Sequence, residues 1–174
     1  MTPKLQLTKI DCAKRQLETA IRLYFTRGDP VSIHTLASAA YSIVHDLNKQ
    51  RGGAAMVRDC EIIKPQFKEM VRRKLTEHQN FFKHADRDPE KTVEFNPELT
   101  EGFLAESCIK YYQLTREKVP ALHIYVQWEC LWNPEMWENK DSDTLKKMAE
   151  IRQLFTREMR EQYYRSMMTA ACAT

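Results

Sequence analysis

An arginine, a glutamate, an asparagine and a histidine follow one another at spacings that suit chemistry on a phosphate ester. The four residues, separated by steps of four, three and four, are Arg73, Glu77, Asn80 and His84. Such steps place all four side chains on one face of a helix with 3.6 residues per turn. A neutral imidazole can accept a proton from a ribose hydroxyl, and a guanidinium can neutralise charge that develops on a phosphate. The candidate catalytic residues are therefore His84, Arg73 and Asn80. The alternative is a solvent-exposed polar face with an ion pair between Arg73 and Glu77.

Basic side chains flank this stripe in the sequence. They are Arg72, Lys74, Lys83 and Arg87, and they are the candidate contacts to RNA or to another anionic ligand. The whole chain has a net charge of +3 and a pI near 8.6, below the strongly basic range in which charge alone indicates a nucleic-acid-binding protein. Any contact with nucleic acid must therefore be local.

A second histidine on the same predicted helix is the alternative base. His78 follows Arg73 with four residues between them, but five steps rotate side chains by about 140° on a regular helix. Leu75 and Phe82 share the face of His78. This neighbourhood favours a core histidine with one satisfied nitrogen.

The second predicted helix carries a further polar stripe. Its members at helical spacing are His34, Ser38, Tyr41 and His45. The spacing indicates either a polar seam between packed helices or the wall of a small pocket that faces the third helix. The seam is the favoured interpretation.

Two aspartates after the third helix offer a metal site as another alternative. His84, Asp86 and Asp88 provide nitrogen and oxygen ligands for a hard cation. However, Asp88 precedes a proline and suits a turn, and Asp86 can cap the end of the helix. The five cysteines are scattered, odd in number and never spaced as C-x-x-C, which favours reduced core residues over disulfides or zinc ligands. No metal and no cofactor is predicted.

Apolar residues at helical spacing predict the helices that position these side chains. The predicted ranges are 8–28, 30–52, 65–85, 97–118, 121–132 and 143–167. Thr8 with Asp11, and Asp29 with Pro30, are typical of helix starts. The run Ile124-Tyr125-Val126 leaves a short buried strand as the alternative for residues 121–132.

Length and composition indicate one helical domain. The chain has 174 residues, of which 43% are hydrophobic and 29% charged, and this length can bury one core without metal or disulfide. We predict an all-α, single-domain bundle of about five to six helices over residues 1–174, with a core from about 8 to 167. Phe67 and Met70 of the third helix are expected to face this core. No apolar run approaches a membrane span and the N-terminus lacks a signal-peptide core, so we expect a cytoplasmic protein without membrane contact.

The segment Asn80-Phe81-Phe82-Lys83-His84-Ala85 resembles the Asn-x-x-x-His element of HEPN-like helical domains, a superfamily of small bundles that often act as RNases or nucleotide-binding partners. An alanine-rich second helix and an acidic, proline-containing loop extend the resemblance over about residues 10–120. The resemblance implies a HEPN-like up-and-down core, a bacterial cytosol, and a homodimer with paired motifs across a two-fold axis. Three tryptophans are expected to supply exposed contacts for that dimer, namely Trp128, Trp132 and Trp137.

The ribonucleases of that superfamily use an arginine, then four to six residues, then a histidine. If His84 is the motif histidine, Gln79 stands at the arginine position, and glutamine carries no positive charge. This departure favours a non-catalytic module that associates with RNA or with a partner protein. The alternative is a metal-independent endoribonuclease of toxin-system type, in which His84 or His78 is the base and Arg73 the phosphate-binding cation.

Overall fold

The computed structural model describes residues 4–59, 64–86, 88–134 and 142–173. Over these residues the chain is all-α and forms seven α-helices, two 3-10 helices and no β-strand. The α-helices are α1 (Lys9–Phe25), α2 (Pro30–Gln50), α3 (Pro65–Phe81), α4 (Leu99–Thr115), α5 (Pro120–Trp132), α6 (Ser142–Leu154) and α7 (Arg160–Cys172). The 3-10 helices are Val57–Asp59 and Arg157–Met159. None of the described helices is long and apolar enough to cross a membrane.

The predicted starts of α1 and α2 are confirmed by their caps. The N–H of Asp11 donates to Thr8 Oγ1 (3.2 Å), and the N–H of Thr8 donates to the Asp11 carboxylate (3.0 Å). The Asp29 carboxylate accepts from the N–H of Ser32 (2.7 Å), and Pro30 occupies the first helical position. These caps satisfy N–H groups that have no partner inside a helix. The short link between the helices then lets α1 and α2 pack against each other.

The core lies between α1, α2, α4, α5 and α7, and aromatic rings fill much of it. The ring centroid of Phe25 in α1 lies 5.7 Å from that of Trp128 in α5, and Trp128 lies 5.0 Å from Tyr163 in α7. Burial of such large rings is a major favourable term in folding. Trp128 is buried and Trp132 half-buried, so the expectation of exposed dimer contacts is wrong for these two. Trp137 lies outside the described residues.

The segment 121–132 is helical, as its spacing predicts, and the strand alternative is wrong. Pro120 occupies the first position of α5, where a backbone N–H would have no intrahelical partner and its absence therefore costs no hydrogen bond. Ile124 and Tyr125, from the run that suggested a strand, are both buried in the core. α5 is buried on more than one side, so its apolar residues do not alternate with polar ones.

The C-terminal region differs from the predicted single helix over 143–167, because a 3-10 helix separates α6 from α7. Thr156 in the break is extended (φ −103°, ψ 171°). In one continuous helix, Phe155 and Tyr163 would lie about 12 Å apart along the axis, whereas the break brings their ring centroids to 5.4 Å. This buried contact is a tertiary interaction, which helical spacing alone cannot predict.

α3 ends earlier than the predicted limit near residue 85. Its last residue is Phe81, and the N–H groups of Lys83 and His84 turn back to the Asn80 carbonyl (3.2 and 3.1 Å). His84 therefore lies in the turn that follows the helix, held close to Asn80 by a backbone hydrogen bond.

The first half of α3 lies on the surface. Phe67 and Met70 are 46% and 48% exposed, so the prediction that they face the core is wrong. The second half packs on the bundle, where the His78 ring lies 6.0 Å from His34 of α2 and 5.1 Å from Phe95. α3 therefore packs on the bundle with its C-terminal half and leaves Phe67 and Met70 of its N-terminal half exposed.

Candidate functional site

Three residues of the predicted catalytic stripe share one cleft, which we call the α3 cleft. Arg73, Asn80 and His84 lie around a cleft of about 560 Å³ between α3 and the loop that follows it. The complete lining is Arg73, Glu77, Asn80, Phe81, His84, Asp86, Asp88 and Lys91. The spacing in the sequence thus brings the candidate catalytic side chains together.

The α3 cleft is rich in carboxylates. Its two cations, Arg73 and Lys91, face three carboxylates, which give the lining a charge of −1 when the histidine is neutral. Lys91 Nζ also lies 3.6 Å from Asp88 Oδ2. A lining of this composition repels a phosphate ester more than it attracts one. The cleft therefore has the residue types for ribonuclease chemistry but not the charge.

The candidate base and cation of the α3 cleft are also exposed. Among the described residues, no hydrogen bond or ion pair holds the side chain of Arg73 or His84 in place. The Arg73 to Glu77 ion pair of the alternative interpretation is not formed either, and the Glu77 carboxylate instead lies 3.5 Å from Lys74 Nζ. A general base is normally oriented by a second group. The side chains are near one another without being fixed for catalysis.

The metal alternative involves three residues of this lining, His84, Asp86 and Asp88. Within the described ranges, no three His, Cys, Asp or Glu side chains are arranged to hold a metal ion. Asp88 instead pairs with Lys91 in the turn after α3.

His78, the alternative base, lies away from the α3 cleft. Its Nε2 donates a hydrogen bond to the Glu94 carbonyl (2.9 Å). Its ring packs against Phe95 and Phe82, with centroids 5.1 and 6.2 Å apart. His78 therefore holds the loop after α3 against the helix.

His34 of α2 is the buried member of this histidine pair. It is 1% exposed, its Nδ1 lies 2.9 Å from Thr100 Oγ1, and its Nε2 has no partner among the described residues. Burial, together with the nearby His78, lowers the pKa of His34 to about 4. The ring packs edge-on against Phe103 of α4 (5.6 Å). His34, the first member of the α2 polar stripe, therefore lies in a seam between packed helices, which is the favoured interpretation.

The last member of that stripe, His45, instead lines a pocket that faces α3, as the alternative interpretation of the stripe predicts. After α2, Gly52 adopts a left-handed conformation (φ 68°), and a Cβ on Gly53 would overlap Asn48 Oδ1. These two glycines let the segment 54–59 return beside α2 and face α3 across a pocket of about 390 Å³. Its lining is His45, Asn48, Lys49, Gly53, Ala55, Met56, Arg58, Asp59, Lys68 and Arg72. We call it the Asp59 pocket.

Asp59 connects three basic groups of this pocket. His45 Nε2 donates to Asp59 Oδ2 (2.7 Å), and Lys49 Nζ and Arg72 Nη2 each lie 3.6 Å from the carboxylate. Burial acts to raise the pKa of Asp59. The hydrogen bond from His45 and the charges of Lys49 and Arg72 act more strongly in the other direction, so the pKa of this carboxyl lies below its ordinary value.

The predicted RNA contacts do not form one site. Arg72 lines the Asp59 pocket, whereas Lys74 pairs with Glu77 and Lys83 is exposed in the turn after α3. Arg87 lies outside the described residues.

Asp59 and most of the cations around it were not among the predicted site residues. A weak signal exists, because His45 with Lys49 and Lys68 with Arg72 are pairs at i,i+4 spacing on two helices. The segment that carries Asp59 between these pairs is placed by tertiary contacts, which spacing does not reveal.

Comparison of the chain with protein-family models, with curated proteins and with solved structures found no match. The HEPN-like resemblance therefore stays a prediction.

Proposed function

We propose that the chain is a non-catalytic, RNA-associated module of a bacterial cytoplasm. One observation carries this proposal: along α3, the pocket with excess positive charge is separate from the cleft that holds the candidate base. The Asp59 pocket places four cations around one carboxylate, a lining charge of +3, and it can hold phosphate. The α3 cleft places the candidate base His84 among three carboxylates.

Binding and cleavage of RNA by the purified chain test this proposal together. We expect single-stranded RNA to bind, with an affinity that falls as salt rises because phosphate contacts release counterions. We expect the RNA to be recovered intact on a gel, with or without EDTA. Absence of binding at low salt would contradict the RNA-associated role.

The endoribonuclease alternative is favoured by the shared position of Arg73 and His84 in the α3 cleft. It predicts metal-independent cleavage that His84→Ala and Arg73→Ala each abolish, because base and cation act as one unit. His123→Ala and Arg15→Ala are matched controls, since both residues are exposed and lie on other helices. Cleavage that is lost only in the two cleft variants would establish the enzyme and contradict the non-catalytic proposal.

We further propose that the chain forms a homodimer, as the HEPN-like resemblance implies, and that α3 contributes to it. Phe67 and Met70 support this proposal because they are large apolar side chains left on the surface. Light scattering at micromolar concentration should give twice the monomer mass of 20.6 kDa. Phe67→Glu should shift the mass to that of the monomer, whereas Leu154→Glu, at an exposed apolar residue of α6, should not. A monomeric wild type would contradict the dimer, and the same surface would then be available to a different protein partner.

A further inference from the structure

The Asp59 pocket has a fixed wall and a buried floor. The Ala54 carbonyl accepts hydrogen bonds from Asn48 Nδ2 (2.9 Å) and Lys110 Nζ (3.0 Å), and the N–H of Val57 donates to Glu106 Oε1 (2.9 Å). The segment 54–59 is therefore tied to both α2 and α4. Met56, which is 1% exposed, lies at the base of the pocket. Such attachment orients the groups that line the pocket before any ligand arrives.

The positive charge of this pocket exceeds what its own carboxylate can neutralise. Asp59 pairs with Lys49 and Arg72, whereas Arg58 and Lys68 have no carboxylate within ion-pair distance among the described residues. Two further carboxylates lie nearby but do not line the pocket: Asp46 beside His45, and Glu69 beside Arg72, with side chains 68% and 83% exposed. Exposed carboxylates are well solvated and reduce the field of the pocket only weakly.

The shape of the pocket favours the end of an RNA strand over the middle of one. A phosphodiester inside an RNA strand carries one negative charge, and the RNA backbone continues from it in two directions. A terminal phosphate monoester carries about −1.5 to −2 charge at pH 7, offers three acceptor oxygens and is attached on one side only. A recess of about 390 Å³ with a buried floor suits a group attached on one side, and its unpaired cations suit a dianion.

We infer that the Asp59 pocket binds the terminal phosphate of an RNA strand, with Lys68 and Arg58 as the phosphate contacts and Asp59 as the group that positions Lys49 and Arg72. This inference rests on the proposed RNA association and names the part of the RNA that is recognised. The phosphate is held by charge and hydrogen bonds and undergoes no reaction.

Fluorescence anisotropy with three versions of one short, internally labelled single-stranded RNA tests the inference. The versions carry a 5′-phosphate, a 3′-phosphate, or hydroxyl groups at both ends, so that the two sources of a terminal phosphate are distinguished. We expect one or both phosphorylated RNAs to bind about tenfold or more tightly than the hydroxyl version, since charge-assisted hydrogen bonds are gained. Lys68→Gln should reduce this preference to about threefold or less, and Arg58→Gln should weaken it similarly.

Lys147→Gln on α6 is the matched control, because it removes the same charge from an exposed lysine of another helix, and it should keep the preference. Thermal melts confirm that each variant is folded, and Lys68 is half-buried and makes no ion pair in the described structure. Equal affinity for all three RNAs would overturn the terminal-phosphate inference and leave the RNA-associated role standing. If no RNA binds, but a nucleoside 5′-monophosphate binds with the same dependence on Lys68, the proposed function is wrong and the phosphate pocket stands. If neither binds, both proposals are overturned.

Discussion

The Asp59 pocket and the α3 cleft are surfaces along the same helix, and they differ in how they are built. The pocket rests on Met56, which is buried, and on a segment tied to α2 and α4. The cleft consists mostly of exposed side chains at a helix end and in the loop that follows it. The pocket gathers cations and the cleft gathers carboxylates. A helical stripe determines which residues are neighbours, whereas enclosure and net charge depend on segments that are distant in the sequence.

The largest effect on stability should separate the floor of the pocket from the wall of the cleft. Met56→Ala removes a buried side chain and should lower the free energy of unfolding by about 2–5 kcal/mol. Phe81→Ala, at a half-buried residue of the cleft, should lower it by only about 1 kcal/mol. Urea denaturation of both variants measures the difference. Equal costs would mean that the pocket is no better anchored than the cleft.

Acid should destabilise the protein through His34, which lies beneath α3 and contacts His78. The folded pKa of His34 is lowered to about 4, while the unfolded pKa is near 6.5. Below pH 6.5 the unfolded chain therefore binds a proton that the folded chain does not, so stability is lost as pH falls from about 6.5 to about 4. The loss should reach up to about 3 kcal/mol.

Urea denaturation at pH 7 and pH 4.5 measures this loss, and His34→Gln should reduce it. If the variant loses as much stability over this range as the wild type, then His34 is not buried against α3, and the attachment of α3 to the bundle is described wrongly.

A smaller effect should distinguish the two sites by their carboxylates. Asp59→Asn removes a charge-assisted hydrogen bond to His45 and should cost about 1–2 kcal/mol. Asp88→Asn removes only an exposed pair with Lys91 and should change the free energy of unfolding by less than about 0.5 kcal/mol. Thermal and urea unfolding of both variants compare them. If Asp59→Asn matches wild type, Asp59 does not organise its pocket.

The smallest expected effect concerns the arginine that the HEPN-like motif lacks. Gln79→Arg restores a guanidinium next to Asn80, and we expect no gain of RNA cleavage because the cleft keeps its three carboxylates. Incubation of labelled single-stranded RNA with the variant in EDTA, followed by a denaturing gel, measures this. A gain of cleavage would identify the α3 cleft as a degenerate nuclease site and would contradict the proposal that the cleft is non-catalytic.

Much of the fold could be predicted from the sequence because its helices carry local signals. The capping box of Thr8 and the Asp29-Pro30 start specify α1 and α2 without reference to the rest of the chain. The break at Thr156 could not be predicted, since it depends on a contact between Phe155 and Tyr163. The exposure of Phe67 was missed for a related reason: an apolar stripe indicates that a face can be buried, not that a neighbouring element covers it.

The residues of the candidate sites also divide into those predicted from local spacing and those placed by tertiary contacts. The proximity of Arg73 and Asn80 followed from spacing on one helix, whereas His84 is held near them by a turn after the helix. Two of the three carboxylates in their cleft, Asp86 and Asp88, lie in the loop after α3, and the return of Asp59 beside α2 depends on tertiary contacts. Spacing therefore identified which side chains meet on α3 and gave no measure of the electrostatics that decides what they can bind.

The most direct test of the account compares one charge in each site. Lys68→Gln and Arg73→Gln each remove a single positive charge from α3, the first from the Asp59 pocket and the second from the α3 cleft. The affinity for a 5′- or 3′-phosphorylated single-stranded RNA, measured at one salt concentration, is the quantity to compare. We predict that Lys68→Gln weakens binding by about fivefold or more and that Arg73→Gln changes it by less than about twofold. The reverse order would contradict the account and place RNA in the α3 cleft.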